Sequence, residues 1–580
     1  MTCIFLILIV CSSLGCGSDS DGFVNTNPDN TPIHYDPPDN APTNVTLSVD
    51  GPKRLRMEWD FVNKTDHYVI SEDKNGLSSY VEVAGATSIT ALSHSFEIPV
   101  HRQPWGISEF VVDSCNRDDS SMLRSNPTTL PSSLNTAAIG CFHASNPGGD
   151  HFGWAVAISD DGKTIAIGAP HESSKASGIN GDQTDNSIRE AGAVYVFRQG
   201  LSGWEQEAYI KSSATDMFSG GYGSYDGDLF GYSVALSSDG NTLAVGSPRE
   251  DLYAPFENSF DRPVGVVYLF ARTGSTWTEE GYTWPGYPHL FMRFGHSVAL
   301  SSDGRTLAVG APDERSLATG INGDESNFGP APSGAAYIFR KTASGWIQHH
   351  DTYIKASNTG ADDSFGCAVT LSSDGNFLAV GAYGEASTAT GINGDQTDNS
   401  IGGAGAVYLY RYSSNEWAQE AYVKASNAPS AFHGGFGQSV SLSASGDTLA
   451  VGSMYDVYVF ERTASIWSQQ ANLTNTPSTS EFGRSVSLSA NGDCLAVGNP
   501  YDDSSATGIN GNQADTGATS SGAAHFFSRS GATWAQESYI KASNTAVSDC
   551  FGWSVAINND GNTLVVGTYR RNIGGAFYLY

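Results

Sequence analysis

The sequence predicts an all-β protein, a seven-bladed β-propeller of four-stranded blades preceded by a smaller two-sheet sandwich. Three observations predict it. Phe-Gly followed by an alternating apolar strand recurs at Phe152-Gly153, Phe230-Gly231, Phe294-Gly295, Phe365-Gly366, Phe436-Gly437, Phe482-Gly483 and Phe551-Gly552. Ahead of these repeats, short strand patterns fill residues 41–132 at the spacing of a sandwich. The composition agrees: glycine is frequent, only 16% of residues are charged, and long helical periodicities are absent.

Within the repeats each strand has its own signature. The first reads like Ser-Val-Ala-Leu-Ser, and a short turn such as Ser238-Asp-Gly-Asn241 leads to a second, Thr242-Leu-Ala-Val-Gly-Ser-Pro248. Asp-Gly pairs accept left-handed backbone angles and read as tight hairpins. A third strand appears as Ala193-Val-Tyr-Val-Phe197, Ala335-Ala-Tyr-Ile-Phe339 and Ala406-Val-Tyr-Leu-Tyr410. A fourth begins near a Trp and ends at a Lys, as in Trp204 to Lys211, Trp346 to Lys355, Trp417 to Lys424 and Trp534 to Lys541. Four antiparallel strands make one blade. The last repeat reaches Tyr580 with only three strands, and residues 139–145, Ile-Gly-Cys-Phe-His-Ala-Ser, are expected to supply the fourth and remove an open edge. The repeated Trp residues read as packing between blades, and Lys211, Lys355, Lys424 and Lys541 as solvated ends of outer strands.

The Phe-Gly pairs, with Gly-Ala-Pro at 168–170 and 310–312, resemble the FG-GAP repeats of integrin α chains over residues 137–580. That resemblance implies a propeller with a recognition role, and calcium held by an Asp-rich hairpin between the first and second strands. Here the hairpin has shrunk to turns such as Asp303-Gly-Arg305 and Asp374-Gly-Asn376, too short to surround an ion that takes six or more oxygens, so that site is not carried over. In residues 41–132, Pro42, Trp59, Tyr68 and Phe110-Val-Val-Asp-Ser-Cys-Asn116 resemble a fibronectin type III domain, an immunoglobulin-like sandwich, with Phe110 where that family usually has Tyr. Its aromatics read as core and the domain as a spacer.

The apolar run Ile4-Phe-Leu-Ile-Leu-Ile-Val10 has the length of a signal-peptide core, so residues 1–16 are expected to direct export. Ser13-Leu-Gly-Cys16 resembles a bacterial lipoprotein cleavage site with Cys16 as acyl acceptor. It departs from that pattern in having Ser at 13 and no Lys or Arg before the run, which leaves simple secretion as the alternative. Residues 17–40, rich in Asp, Asn and Pro, read as a flexible linker. A formal charge of −31 repels phosphate backbones and anionic lipid, which excludes nucleic acid as a partner and leaves the membrane accessible only through an N-terminal lipid anchor. Cys115, Cys141, Cys367, Cys494 and Cys550 have neither disulfide nor zinc spacing and read as single thiols in strands.

The candidate site lies in the loops between second and third strands. Gly178-Ile-Asn-Gly-Asp-Gln-Thr-Asp-Asn-Ser187 recurs almost unchanged at 391–400, with shorter relatives at 320–324 and 508–512. In an up-and-down blade these loops share one end with the fourth-to-first connections, which carry Asp150, Asp226, Asp228, Asp362, Asp363 and Asp549. Asn180, Asp182, Asp185, Asn393, Asp395 and Asp398 are therefore candidate ligands for calcium or a glycan; the competing reading is that they satisfy turn backbone. Blades five and seven lack such loops, Ser453-Met-Tyr-Asp456 and Thr568-Tyr-Arg-Arg571, which predicts a recess beside Arg570 and Arg571. No catalytic motif appears, His151, His296 and His433 read as surface residues beside turns, and no converging Asp, His, Tyr or Arg set is legible at the inner strands. The expected function is exported, surface-exposed, non-catalytic binding or adhesion to an extracellular protein or glycan, with calcium the only cofactor considered. The alternatives are a propeller hydrolase or lyase acting on extracellular polysaccharide and an envelope-complex scaffold.

Overall fold

The computed structural model describes residues 36–117, 121–146, 148–213, 227–251, 263–347, 350–427, 434–475, 481–569 and 574–580. The export segment, Cys16, Asp226, His433, Arg570 and Arg571 lie outside them. The chain divides into two compact units, 1–138 and 139–580. Among the described residues no helix is long and apolar enough to cross a membrane.

In the first unit Thr46–Val49, Arg54–Glu58 and Ser93–Glu97 form one antiparallel sheet. Val81–Glu82, His67–Asp73, Glu109–Cys115 and Met122–Arg124 form another, joined by Thr128–Thr129. Period-two alternation explains the facing. Leu55, Met57 and Phe96 are buried on the first sheet and Tyr68, Ile70, Phe110 and Val112 on the second. Phe96 meets Phe110 at 5.5 Å between ring centres, so the sheets share one core. Trp59 packs edge-on against Tyr68 at 5.3 Å, whose hydroxyl accepts the Val62 amide.

The second unit is built from antiparallel sheets of four strands, the shape of propeller blades, and the described residues contain seven of them. Six use four consecutive strands in chain order, the fourth position of one being split into Gly345–Trp346 and Thr352–Ile354. The seventh takes Ser554–Ile557, Leu564–Thr568 and Ala576–Leu579 from the end of the chain and Gly140–Phe142 from its start, with Tyr578 opposite Cys141. No disulfide is formed among the described residues.

Three sets of contacts join the sheets into a ring. The innermost strand of each touches the innermost strand of the next, and Ser554–Ile557 returns to Ala155–Ile158. At the hairpin end, seven backbone bonds of 2.8 to 3.4 Å run in a circle, with the amides of Asp160, Ser238, Ser302, Ser373, Ala444, Ala490 and Asn559 each donating to the next carbonyl and Asn559 returning to Asp160. The third set explains the repeated glycines. A Cβ on the second-strand glycines, Gly168 and Gly310 for example, would lie 1.9 to 2.1 Å from the carbonyl oxygen of the Phe-Gly glycine in the following sheet, and Gly567 closes on Gly153 in the same way. Backbones at that distance leave no room for a side chain. Each Phe of the pair packs edge-on against a third-strand ring, from Phe152 on Tyr195 at 5.1 Å to Phe551 on Tyr578 at 5.2 Å.

On the outside, successive sheets are clipped together. The Glu207 carboxylate accepts from both Arg272 and Trp277 of the next sheet, and Glu420 accepts likewise from Arg462 and Trp467. The repeated Trp residues thus pack between blades. The repeated lysines overturn expectation: Lys211, Lys355, Lys424 and Lys541 are buried rather than solvated. Each ammonium meets a carboxylate from its blade's second-to-third loop, Glu172, Glu314, Glu385 and Asp502 respectively, at 2.5 to 3.0 Å. Strand alternation turns this Lys and the Tyr two residues earlier to the same side, and the hydroxyls of Tyr422 and Tyr539 donate to the same acids.

Candidate functional site at the channel mouth

The long loops are strapped to the fourth strand. Asn180 adopts φ 56°, its amide donates to the Tyr209 carbonyl at 2.7 Å, and its side-chain oxygen accepts the Tyr209 amide at 2.9 Å. Asn393 does the same with Tyr422, as do Asn322 with Tyr353 and Asn510 with Tyr539. Asn tolerates left-handed backbone and mimics a backbone acceptor, which is why it recurs here. Asp182 and Asp395 close turns, each accepting the amide and hydroxyl of the Thr two residues on. Asp185 accepts the Ser187 amide and pairs with Lys175, and Asp398 accepts the Thr388 amide and the Ser400 and Thr388 hydroxyls. These bonds hold the four carboxyls below their ordinary range. The six predicted residues are thus brought together only within their own loops, and no group of three or more His, Cys, Asp or Glu among the described residues is placed to hold a metal.

Of the acids in the fourth-to-first connections, Asp362 is exposed and Asp228 half-buried, and the others described lie inside. Asp150, Asp363 and Asp549 are buried beside the lysine straps, and burial pushes the Asp150 carboxyl up to about 7, with Glu172 adding to it. Asp363 rises to about 6 for the same leading reason.

A different set of side chains converges where the inner strands begin. In every repeat the residue before Phe-Gly and the residue after it are joined by a turn, the later amide donating to the earlier carbonyl at 3.0 to 3.2 Å. The earlier residue takes positive φ each time, from 53° at Arg293 to 81° at Gly435. This geometry sets both positions around the mouth of the channel. The later positions, Trp154, Tyr232, His296, Cys367, Gln438, Arg484 and Trp553, all line it. Beside them a cavity of about 500 Å³ opens, walled also by Arg293, Glu481, Tyr383 and Met454. Met454 belongs to the short connection of blade five, so the described recess lies beside that missing loop. The recess expected beside Arg570 and Arg571 falls outside the described residues.

The mouth has two halves. One is aromatic: Trp154 lies 5.0 Å from Trp553, 5.3 Å from Tyr232 and 5.6 Å from Tyr569, and His151 stacks on Trp154 at 5.8 Å. The other is polar. Arg293 is paired with Asp313 at 2.5 Å, whereas the Arg484 guanidinium lies 4.1 Å over Trp553 and has no carboxylate partner among the described residues. Gln438 donates to the Ser453 carbonyl of blade five at 2.9 Å. His296 Nδ1 and Glu481 Oε2 are buried atoms with no hydrogen-bond partner there. Burial, then Arg293 and Arg484, pushes the His296 imidazole down to about 3, while burial raises the Cys367 thiol to about 11 and lifts the Tyr232 phenol. His296 is therefore a half-buried wall of the channel rather than a surface residue, and a converging His, Tyr and Arg set does exist. Its sequence signal was the position two after each Phe, which holds six different residue types across seven copies of an otherwise uniform repeat.

A family model described as FG-GAP repeat matches residues 144–197 and 534–580, the sheets either side of the closure. Those two segments thus match the FG-GAP repeat, within a set of sheets arranged as in a β-propeller. No curated protein sequence is detectably similar to it. Among solved structures, a chain of the mitotic checkpoint complex is 12% identical, with 76% of this chain and 93% of that one covered and a TM-score of 0.41. The β-propeller domain of Myceliophteria thermophila Cps50 (Swd1) is 9% identical over 76% of this chain and 98% of that one, with a TM-score of 0.42. The periplasmic gluconolactonase PpgL of Pseudomonas aeruginosa is 13% identical over 83% and 97%, with a TM-score of 0.38. Likeness at that level carries nothing about ligand or activity.

Proposed function

We propose that the protein is an exported binding or adhesion protein that recognises an extracellular glycan or protein, without turning it over, through the mouth of a seven-bladed integrin α-like propeller. The N-terminal unit is a fibronectin type III-like sandwich acting as a spacer, and Cys16 anchors the chain to the envelope through lipid. The observation that carries the reading is the convergence of seven side chains of six different types on one channel mouth, the hairpin end being drawn in by the circle of backbone bonds. Proteins concentrate variable, functional residues where a rigid scaffold presents them. A non-catalytic role is supported by the proton affinities. A general acid or base works best near ambient pH and a thiol reacts as thiolate, whereas His296 is too weak a base and Cys367 and Tyr232 hold their protons.

The test exposes the full chain to an immobilised panel of neutral and acidic oligosaccharides and extracellular proteins and weighs any bound ligand by mass spectrometry. Retention of an intact ligand, lost in Trp154→Ala, is the expected result. A ligand recovered in fragments would move the assignment to the second reading, a hydrolase or lyase acting on extracellular polysaccharide, which the grouping of Tyr232, His296, Glu481 and Arg484 favours. Membrane fractionation tests the anchor: Cys16→Ser is expected to release the chain.

A further inference from the structure

The mouth carries an unusual charge arrangement for a chain of net charge −31. Of the two arginines on the cavity wall, Arg293 is neutralised by Asp313, and Arg484 is left with only the face of Trp553. Beside it Glu481 Oε2 and His296 Nδ1 are buried polar atoms with no partner among the described residues. Buried polar groups that the fold leaves unsatisfied call for a partner from outside. The Arg484 guanidinium, which no ion pair neutralises, disfavours a cationic guest. One free guanidinium next to a carboxylate suits a monoanion better than a doubly charged phosphate. Its planar fork matches a carboxylate through two parallel bonds. The unpartnered Glu481 oxygen and His296 nitrogen suit a sugar's hydroxyls, and the Tyr232 ring walls the cavity with Trp154 5.3 Å from it, apolar surface against which a pyranose can pack. A volume of about 500 Å³ lies in the range of small-ligand pockets.

Resting on the ligand-recognition reading above, we infer that the channel mouth binds a carboxylate-bearing sugar, an acidic oligosaccharide of the uronic acid type, with its carboxylate on Arg484 and its hydroxyls on Glu481 and His296. The test is calorimetry on the full chain with trigalacturonate and with its fully methyl-esterified form, which keeps the rings and removes the charge. The acid is expected to bind at least tenfold more tightly than the ester, and Arg484→Gln to abolish that preference while near-ultraviolet circular dichroism stays native. Arg484→Lys, which keeps the charge but not the fork, is expected to retain part of it. Equal binding of acid and ester, both lost in Trp154→Ala, overturns the carboxylate and leaves the mouth as the site. Binding of neither, or a preference that survives Arg484→Gln, also overturns it, and the first of these leaves the panel experiment to decide the wider reading.

Discussion

Blades one, three, four and six differ from blades two, five and seven at one position of the fourth strand. The first group holds Lys211, Lys355, Lys424 and Lys541 there; the second holds Trp284, Thr474 and His143. The four lysine blades are also the four with a Gly-Ile-Asn loop, whose Asn is bonded across to the Tyr two residues before that lysine. Lysine, acid and Asn form one device, an ion pair inside and a backbone strap outside, that holds a long loop upright. Where blade five lacks it, the connection shortens to Ser453–Asp456 and the cavity opens. The distribution of straps thus shapes the mouth.

The largest effect should come from emptying a strap. Removing one member of a buried ion pair strands the other, so Lys355→Ala should cost about 3–5 kcal/mol in urea unfolding. Thr474→Ala at the exposed equivalent position should change stability by less than about 0.5 kcal/mol. Equal losses would break the comparison. The inner ring, by contrast, is common to both groups. Gly310→Ala and Gly452→Ala, in a strapped and an unstrapped blade, should each cost about 1–3 kcal/mol through overpacking, and a difference between them would show that the straps reach the channel.

Next is Asn393→Ala, which should cost about 1 kcal/mol and raise amide exchange in 391–400 without touching blade five. Because the loop carboxylates already accept turn bonds, calcium after chelation should leave the melting temperature unchanged; a saturable rise lost in Asp395→Ala with Asp398→Ala would make these loops ion sites.

The last expectation is a pH dependence at Asp150, beside the first strap. The folded Asp150 carboxyl keeps its proton to about pH 7, whereas an unfolded one releases it near ~3.9. The folded state then binds more protons between those values, and its stability falls as pH rises through them. The melting temperature of wild type relative to Asp150→Asn should therefore decline from pH 4 to pH 7 and level off above. A difference that does not change with pH would remove the raised carboxyl.

Much of this architecture was legible because repeats report physical constraints several times over. Phe-Gly and the second-strand glycine mark the closest approach of neighbouring blades, Asp-Gly marks the hairpins, and residues 139–145 could be matched to a missing strand by their likeness to other strand ends. The lysines were misread because an ammonium at a strand end is ordinarily wet, and one strand does not reveal an acid on a loop about 40 residues away. A signal was available all the same, since Lys and Gly-Ile-Asn occur together or not at all. The mouth was missed for the opposite reason. A search for recurrence passes over a position whose meaning lies in its variation, and Tyr232, His296, Cys367, Gln438 and Arg484 share nothing but their place after Phe-Gly.

By itself, then, the sequence determined strand order, blade boundaries and the seam of the ring, because these follow from local periodicity, turn chemistry and the absence of a Cβ where backbones must touch. Only the tertiary structure decided which charges are buried and paired and which side chains meet in the channel. Both depend on residues from different blades arriving at the same point, and ring closure is what brings them there.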